Sequence, residues 1–118
     1  MDIETQAKQL GRLISQTPEY KYYESASRVV GEDTELKELV QKLQDKENEI
    51  NDLVRSGQDV PEDKKKDYES TLIDLQSRTN FQSLIAGQEN YMKLMNKVNE
   101  LISEGIREGG QSRIITNF

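Results

Sequence analysis

Two carboxylate pairs are the residues best placed to do chemistry in this 118-residue chain: Glu35-x-x-Glu38 and Glu49-x-x-Asp52. Acids three apart share one face of a helix, and four carboxylates around one ion can hold Mg²⁺ for hydrolysis of a nucleotide. That gives one functional reading, a metal-dependent nucleotide hydrolase. The spacing opposes it within a single chain. Both pairs fall on one helical stretch with no Gly or Pro between them. Glu35 and Glu49 are therefore about 21 Å apart along the axis. Only a site formed across a dimer, by an antiparallel second helix, would bring them to one ion. Lys42 stands four residues from Glu38 and Lys46 three from Glu49, with Lys37 on the same helix, so a solvated acidic face balanced by lysines is the simpler reading.

No other constellation points to catalysis. The chain has no His, Cys or Trp. Without His there is no His base to activate a Ser or Thr, nothing singles out a Ser–Lys pair, and there is no Glu-x-x-His set for a di-iron bundle. Without Cys there is no disulfide, thiolate metal site or Cys-ligated iron–sulfur cluster. Lys64-Lys65-Lys66 could touch phosphate, but Glu62, Asp63 and Asp67 cancel its field. Tyr20, Tyr22 and Tyr23 could stack on bases, but only Lys21 and Arg28 accompany them, so packing is the expected role. No catalytic, cofactor-binding or metal-ligating residue is assigned. The net charge of −6 disfavours direct nucleic-acid binding and docking on an anionic membrane. No apolar run approaches the ~18 residues of a membrane helix, and the first residues, Met1-Asp2-Ile3-Glu4, are unlike a signal peptide. These features suit a cytoplasmic protein.

The elements that must position any site are helices. Only 33% of residues are hydrophobic and 32% are charged, yet the apolar residues recur at helical spacing. Ile3, Ala7, Leu10, Leu13 and Ile14 make a first helix to about Gln16. Thr17-Pro18-Glu19 restarts the chain as cap, first-turn proline and first-turn acid. The second helix turns Tyr22 or Tyr23, Ala26 and Val29-Val30 inward, and Gly31 should stop it. Asp33 or Thr34 caps a third helix running to about Ser56, with Gly57 ending it. Leu36, Leu43 and Ile50 form its stripe with Leu39-Val40 and Leu53-Val54, interrupted by Lys46-Glu47. The one clear loop is residues 57–61, and Pro61-Glu62-Asp63 opens a fourth helix facing Tyr68, Thr71-Leu72 and Leu75 inward. A short connection predicts an antiparallel hairpin of the third and fourth helices.

Arg78-Thr79-Asn80 marks a break, with Thr79 or Asn80 as cap. The fifth helix carries the longest stripe: Phe81, Leu84-Ile85, Gln88, Tyr91-Met92, Met95, Val98, Leu101-Ile102 and Ile106. Glu89 is the only charge between Phe81 and Asn90. A stretch so poor in charge is expected to be covered by protein, and Ala86-Gly87 allows close approach. Phe81, Leu84, Ile85, Gln88, Tyr91, Met92 and Met95 are therefore the candidate self-association residues. Gly109-Gly110 should end the bundle domain, residues 1–108, and leave a tail, residues 109–118. Its Ile114, Ile115 and Phe118 suit an extended segment, and the tail folds back on the bundle, stays disordered, or docks on a neighbouring subunit or partner.

The ordered set of parts adds a resemblance. Leu10-Gly11-x-x-Ile14, then Pro18-Glu19-Tyr20, then Asp33-x-Glu35-Leu36 opening a helix that ends in Gly57, then Leu72-x-x-Leu75, then Asn80-Phe81-x-x-Leu84-Ile85-x-x-Gln88 and Leu101-Ile102-x-x-Gly105-Ile106 resemble the YlbF/YmcA/YheA family of small bacterial helical proteins across residues 3–107. The resemblance implies an all-α fold that self-associates. For the YlbF and YmcA branches it implies regulation of competence, sporulation and biofilm formation, in a complex with the YaaT protein that modulates mRNA maturation by RNase Y. That complex is linked to cysteine-ligated iron–sulfur clusters. This chain can supply no such ligand, which favours the YheA-like branch.

The expectation is thus an all-α antiparallel bundle of four to five helices with a long helical hairpin, assembled as a dimer or larger homo-oligomer. Its expected function is that of a non-enzymatic regulatory adaptor with protein partners, a YaaT-like protein or RNase Y among them.

Overall fold

The structure, a computed structural model, describes residues 2–116, and side chains for residues 2–111. Five helices follow one another: α1 (Ile3–Ser15), α2 (Pro18–Glu32), α3 (Thr34–Arg55), α4 (Glu62–Ser77) and α5 (Thr79–Thr116). The described residues contain no strand. The fold is all-α, as expected, and it is built as two helical pairs joined at a small core.

Local chemistry sets most of the boundaries. The Asp2 carboxylate accepts from the Thr5 N–H at 2.7 Å and opens α1. The Thr17 hydroxyl donates to the Ile14 carbonyl at 2.6 Å and accepts from the Tyr20 N–H at 3.2 Å. One side chain thereby closes α1 and opens α2, and Pro18 occupies the first turn, where its missing N–H costs nothing. Asp33 alone separates α2 from α3, and its carboxylate accepts from the Leu36 N–H at 3.0 Å. Gly57 takes φ +74° after α3, a conformation that favours glycine.

Three expected boundaries move. Helix α2 runs through Gly31 to Glu32, because Gly31 keeps a negative φ and Asp33 supplies the terminating bend. At the start of α5 neither Thr79 nor Asn80 is the cap. Arg78 is extended, its carbonyl accepts from the Gln82 N–H at 3.0 Å, and the Asn80 amide is engaged elsewhere. Helix α5 also continues through Gly109-Gly110 to Thr116, with neither glycine in the left-handed region. Each glycine weakens a helix by about 1 kcal/mol, but extending an existing helix carries no nucleation cost. The side chains of Ile114 and Ile115, and all of Phe118, lie outside the described residues.

Helices α3 and α4 form the antiparallel hairpin. The pairs Glu35–Arg78, Lys46–Asp67 and Glu49–Lys64 descend in register along it. Lys46, which breaks the apolar stripe of α3, reaches across the seam to Asp67 at 2.9 Å and to the buried Thr71 hydroxyl at 2.8 Å. Helices α2 and α5 form the second antiparallel pair. Tyr91 stacks on Tyr23, with ring centroids 5.4 Å apart, and meets Tyr20 edge-on at 5.8 Å. Gly87 sits against Tyr22 and Tyr23. A Cβ there would lie 3.1 Å from Tyr22 Cδ1 and 3.2 Å from Tyr23 Cα. Ala86-Gly87 thus marks a close crossing inside the chain.

The two pairs meet where α2 turns into α3 and α4 into α5. Leu36, Leu39 and Leu75 are buried there, and Val30, Leu43 and Phe81 pack around them. Leu36 is only 1% exposed. Among the described residues, Ala26, Thr71 and Gly87 are buried besides these leucines.

Candidate functional site

One set of polar ties stands at the joint between the two helical pairs. Asp33, the single residue between α2 and α3, accepts from the Asn80 amide at 2.9 Å as well as capping α3. Arg78, the single residue between α4 and α5, donates to Glu35 at 3.0 Å and to Asp74 at 3.2 Å. Two one-residue connections are therefore cross-tied. The Leu36 backbone N–H, and then the Asn80 amide, hold the Asp33 carboxyl below its ordinary value of 3.8. Hydrogen bonds to Asp74 and Glu35 push the Arg78 guanidinium above its ordinary value.

A lowered folded-state pKa stabilises the fold above the unfolded value and loses that contribution as the pH falls through the folded value. Asp33→Ala should therefore lower the melting temperature fully at pH 7. The gap from wild type should narrow below pH 3.8. A gap unchanged between pH 7 and pH 2, followed by circular dichroism, would contradict this role of the charge.

These groups tie the two helical pairs to each other. Glu35 is engaged by Arg78 and Glu49 by Lys64, toward opposite ends of the hairpin. Among the described residues no three Asp, Glu, His or Cys side chains are grouped to hold a metal. Lys64 is committed to Glu49, and Lys65 lines a groove with Glu47, Ile50, Asn51, Tyr68 and Glu69. Tyr20, Tyr22 and Tyr23 pack against α5. The polar ties Lys46–Asp67 and Arg78–Glu35 could not be paired from sequence, although a lysine set into an apolar stripe does signal a cross-helix partner.

What stands out instead is uncovered apolar surface. The accessible area is 9220 Å². A compact monomer of 13.6 kDa exposes about 6,600 Å². The radius of gyration is 22.2 Å, with extents of 70 × 36 × 20 Å, against about 13.5 Å for a compact domain of this length.

The seven candidate self-association residues divide. Phe81 joins the core cluster and Tyr91 joins the tyrosine stack. Leu84, Gln88 and Met95 are half-buried, while Ile85 and Met92 are exposed. Beyond Val98 the cover ends, and every residue from Asn99 to Gln111 is exposed. Leu101, Ile102 and Ile106 lie in this segment, Ile106 at 70% exposure. Ile102 shares a shallow groove with Ile3, Ala7 and Leu10 of α1, and Ile3 is 86% exposed. No helix among the described residues is long and apolar enough to cross a membrane.

Residues 3–107 match the family described as "Control of competence regulator ComK, YlbF/YmcA". A UPF0342 protein of Lactobacillus acidophilus is 25% identical over 108 residues, covering 92% of this chain and 93% of the relative. A UPF0342 protein of Leuconostoc citreum is 18% identical over 108 residues, covering 92% of each. No solved structure matches the chain.

Proposed function

The chain belongs to the YlbF/YmcA family, and from that premise we propose that it is a non-enzymatic regulatory adaptor that works through protein–protein contacts. The family description is one of regulation, the control of a competence regulator. The observation that carries the adaptor reading is the surface: about 2,600 Å² more than a compact monomer exposes, with apolar residues along it. Surface of that extent and polarity is what obligate or regulatory interfaces bury. Self-association uses part of it, with Ile85 and Met92 the exposed members of the seven candidate residues.

The partner surface is offered in the cytoplasm. By resemblance, a YaaT-like protein or RNase Y takes part, in mRNA processing that governs competence, sporulation or biofilm formation. The acidic balance of the chain, −6 overall, argues for contact with protein and against contact with the RNA itself. Capture of the tagged full chain from its native host, with identification of what co-purifies, tests the reading. RNase Y or a YaaT-like protein should be retained by wild type. Retention of RNA in the absence of any protein partner would overturn the adaptor role.

A further inference from the structure

The exposed end of α5 carries an ordered charge pattern beside its apolar residues. Lys93 and Lys97 precede Leu101, and Glu104 and Glu108 follow it. At about 100° per residue all four charges fall on one flank of the helix, next to Leu94, Leu101 and Gly105. The two signs are symmetric about the Glu100–Leu101 bond: Lys97 and Glu104 are equidistant from it, as are Lys93 and Glu108.

When two helices pair antiparallel, each flank faces the same flank of its partner. In a parallel pair it faces the opposite flank. A second copy laid antiparallel over this segment, with its two-fold axis at the Glu100–Leu101 bond, therefore sets Lys93 against the partner's Glu108 and Lys97 against the partner's Glu104. It does so twice, once at each end of the seam. The nearby Lys97–Glu100 contact within one chain is loose, at 3.9 Å with both side chains more than 60% exposed, and leaves Lys97 free to make this exchange. Leu101, 51% exposed, comes to the centre. Gly105 has no atom within 4 Å of where a Cβ would stand, so the second helix can approach closely. Ile102 and Ile106 extend the contact toward α1.

Resting on the self-association reading above, we infer that α5 forms an isologous antiparallel seam with a second copy of this chain, centred at Leu101 and read by the Lys93/Lys97 and Glu104/Glu108 pairs. The need for cover is independent of the charges. Thirteen consecutive exposed residues, two of them an adjacent glycine pair, make a helical extension whose apolar residues no other described element covers. A second copy supplies both that cover and the matching charge order, which a partner of arbitrary sequence would have to reproduce.

The absence of Cys makes the register measurable by disulfide trapping. Leu101→Cys should cross-link into a covalent dimer under mild oxidation. Lys93→Cys should not, because the two positions 93 lie about 22 Å apart along the antiparallel seam. Charge reversal gives a second readout. Lys93→Glu with Lys97→Glu should weaken the dimer about tenfold or more, and Glu104→Lys with Glu108→Lys should do the same. Mixing the two variants should restore association as a heterodimer, with circular dichroism confirming that each is folded. Cross-linking at position 93 and none at 101, or reversal variants that dimerise as wild type does, would overturn the seam while leaving self-association standing. A wild-type chain that stays monomeric would overturn the self-association reading, and this inference with it.

Discussion

Replacing Leu36 by alanine should lower the free energy of unfolding by about 3 kcal/mol and the melting temperature by roughly 10 °C or more. Among the described residues Leu36 is the most completely buried large side chain, and Leu39 and Leu75 share its cluster as buried leucines. Removing it leaves a void at the joint that holds both helical pairs, and a core this small has little else to close around it. Val40, on the same helix and 42% exposed, is the matched comparison. Val40→Ala should shift stability by less than about 1 kcal/mol. Both should be measured by thermal unfolding at one protein concentration, since self-association adds to apparent stability. Equal effects at the two positions would mean that the joint is not where the fold is held.

Gly87→Leu should be nearly as damaging, costing about 3 kcal/mol, and it should separate α2 from α5. Even a single Cβ at this position meets Tyr23 Cα at 3.2 Å, and backbone cannot move aside as a flexible side-chain end can. A leucine must push the helices apart, which breaks the stack of Tyr23 on Tyr91. The loss should be visible in the near-ultraviolet circular dichroism of the tyrosines. Gly31→Ala gives the opposite sign. Gly31 is helical, has a negative φ and has open space around it, so a methyl there should stabilise the fold by about 0.5–1 kcal/mol. A tolerated leucine at position 87 would remove the close crossing from this account.

The helices were legible in the sequence because their signals are local. Thr17-Pro18, Asp33 and Gly57 each act within one turn of chain, and the structure uses each as its residue type suggests. The hairpin of α3 and α4 followed from a short loop between two apolar stripes. Local signals failed where a neighbour decided the outcome. Gly31 and Gly109-Gly110 look like stops, but a glycine ends a helix only when the chain takes it into the left-handed region, and these keep helical φ. Asn80 has the chemistry of a cap, yet it is drawn to Asp33, a residue 47 positions away.

The surface was legible only in part. The charge-poor stretch from Phe81 to Asn90 is covered by the chain itself on one side only, where α2 lies on Gly87 and Phe81 joins the core cluster. Gln82, Ile85, Ala86, Glu89 and Asn90 stay exposed. Periodicity marks a face as apolar without saying which neighbour will take it. Leu101, Ile102 and Ile106 belong to the same stripe, and only the ending of the other helices shows that they are left open.

Sedimentation equilibrium of the wild-type chain, over loading concentrations from about 1 to 100 µM and at physiological salt, tests the central claim that this surface exists to be covered by protein. A dimer is expected, with a mass twice the 13.6 kDa of one chain and with dissociation appearing only at the lowest loadings. A single species of 13.6 kDa at every concentration would contradict it, because the uncovered face of α5 would then be stable in water alone.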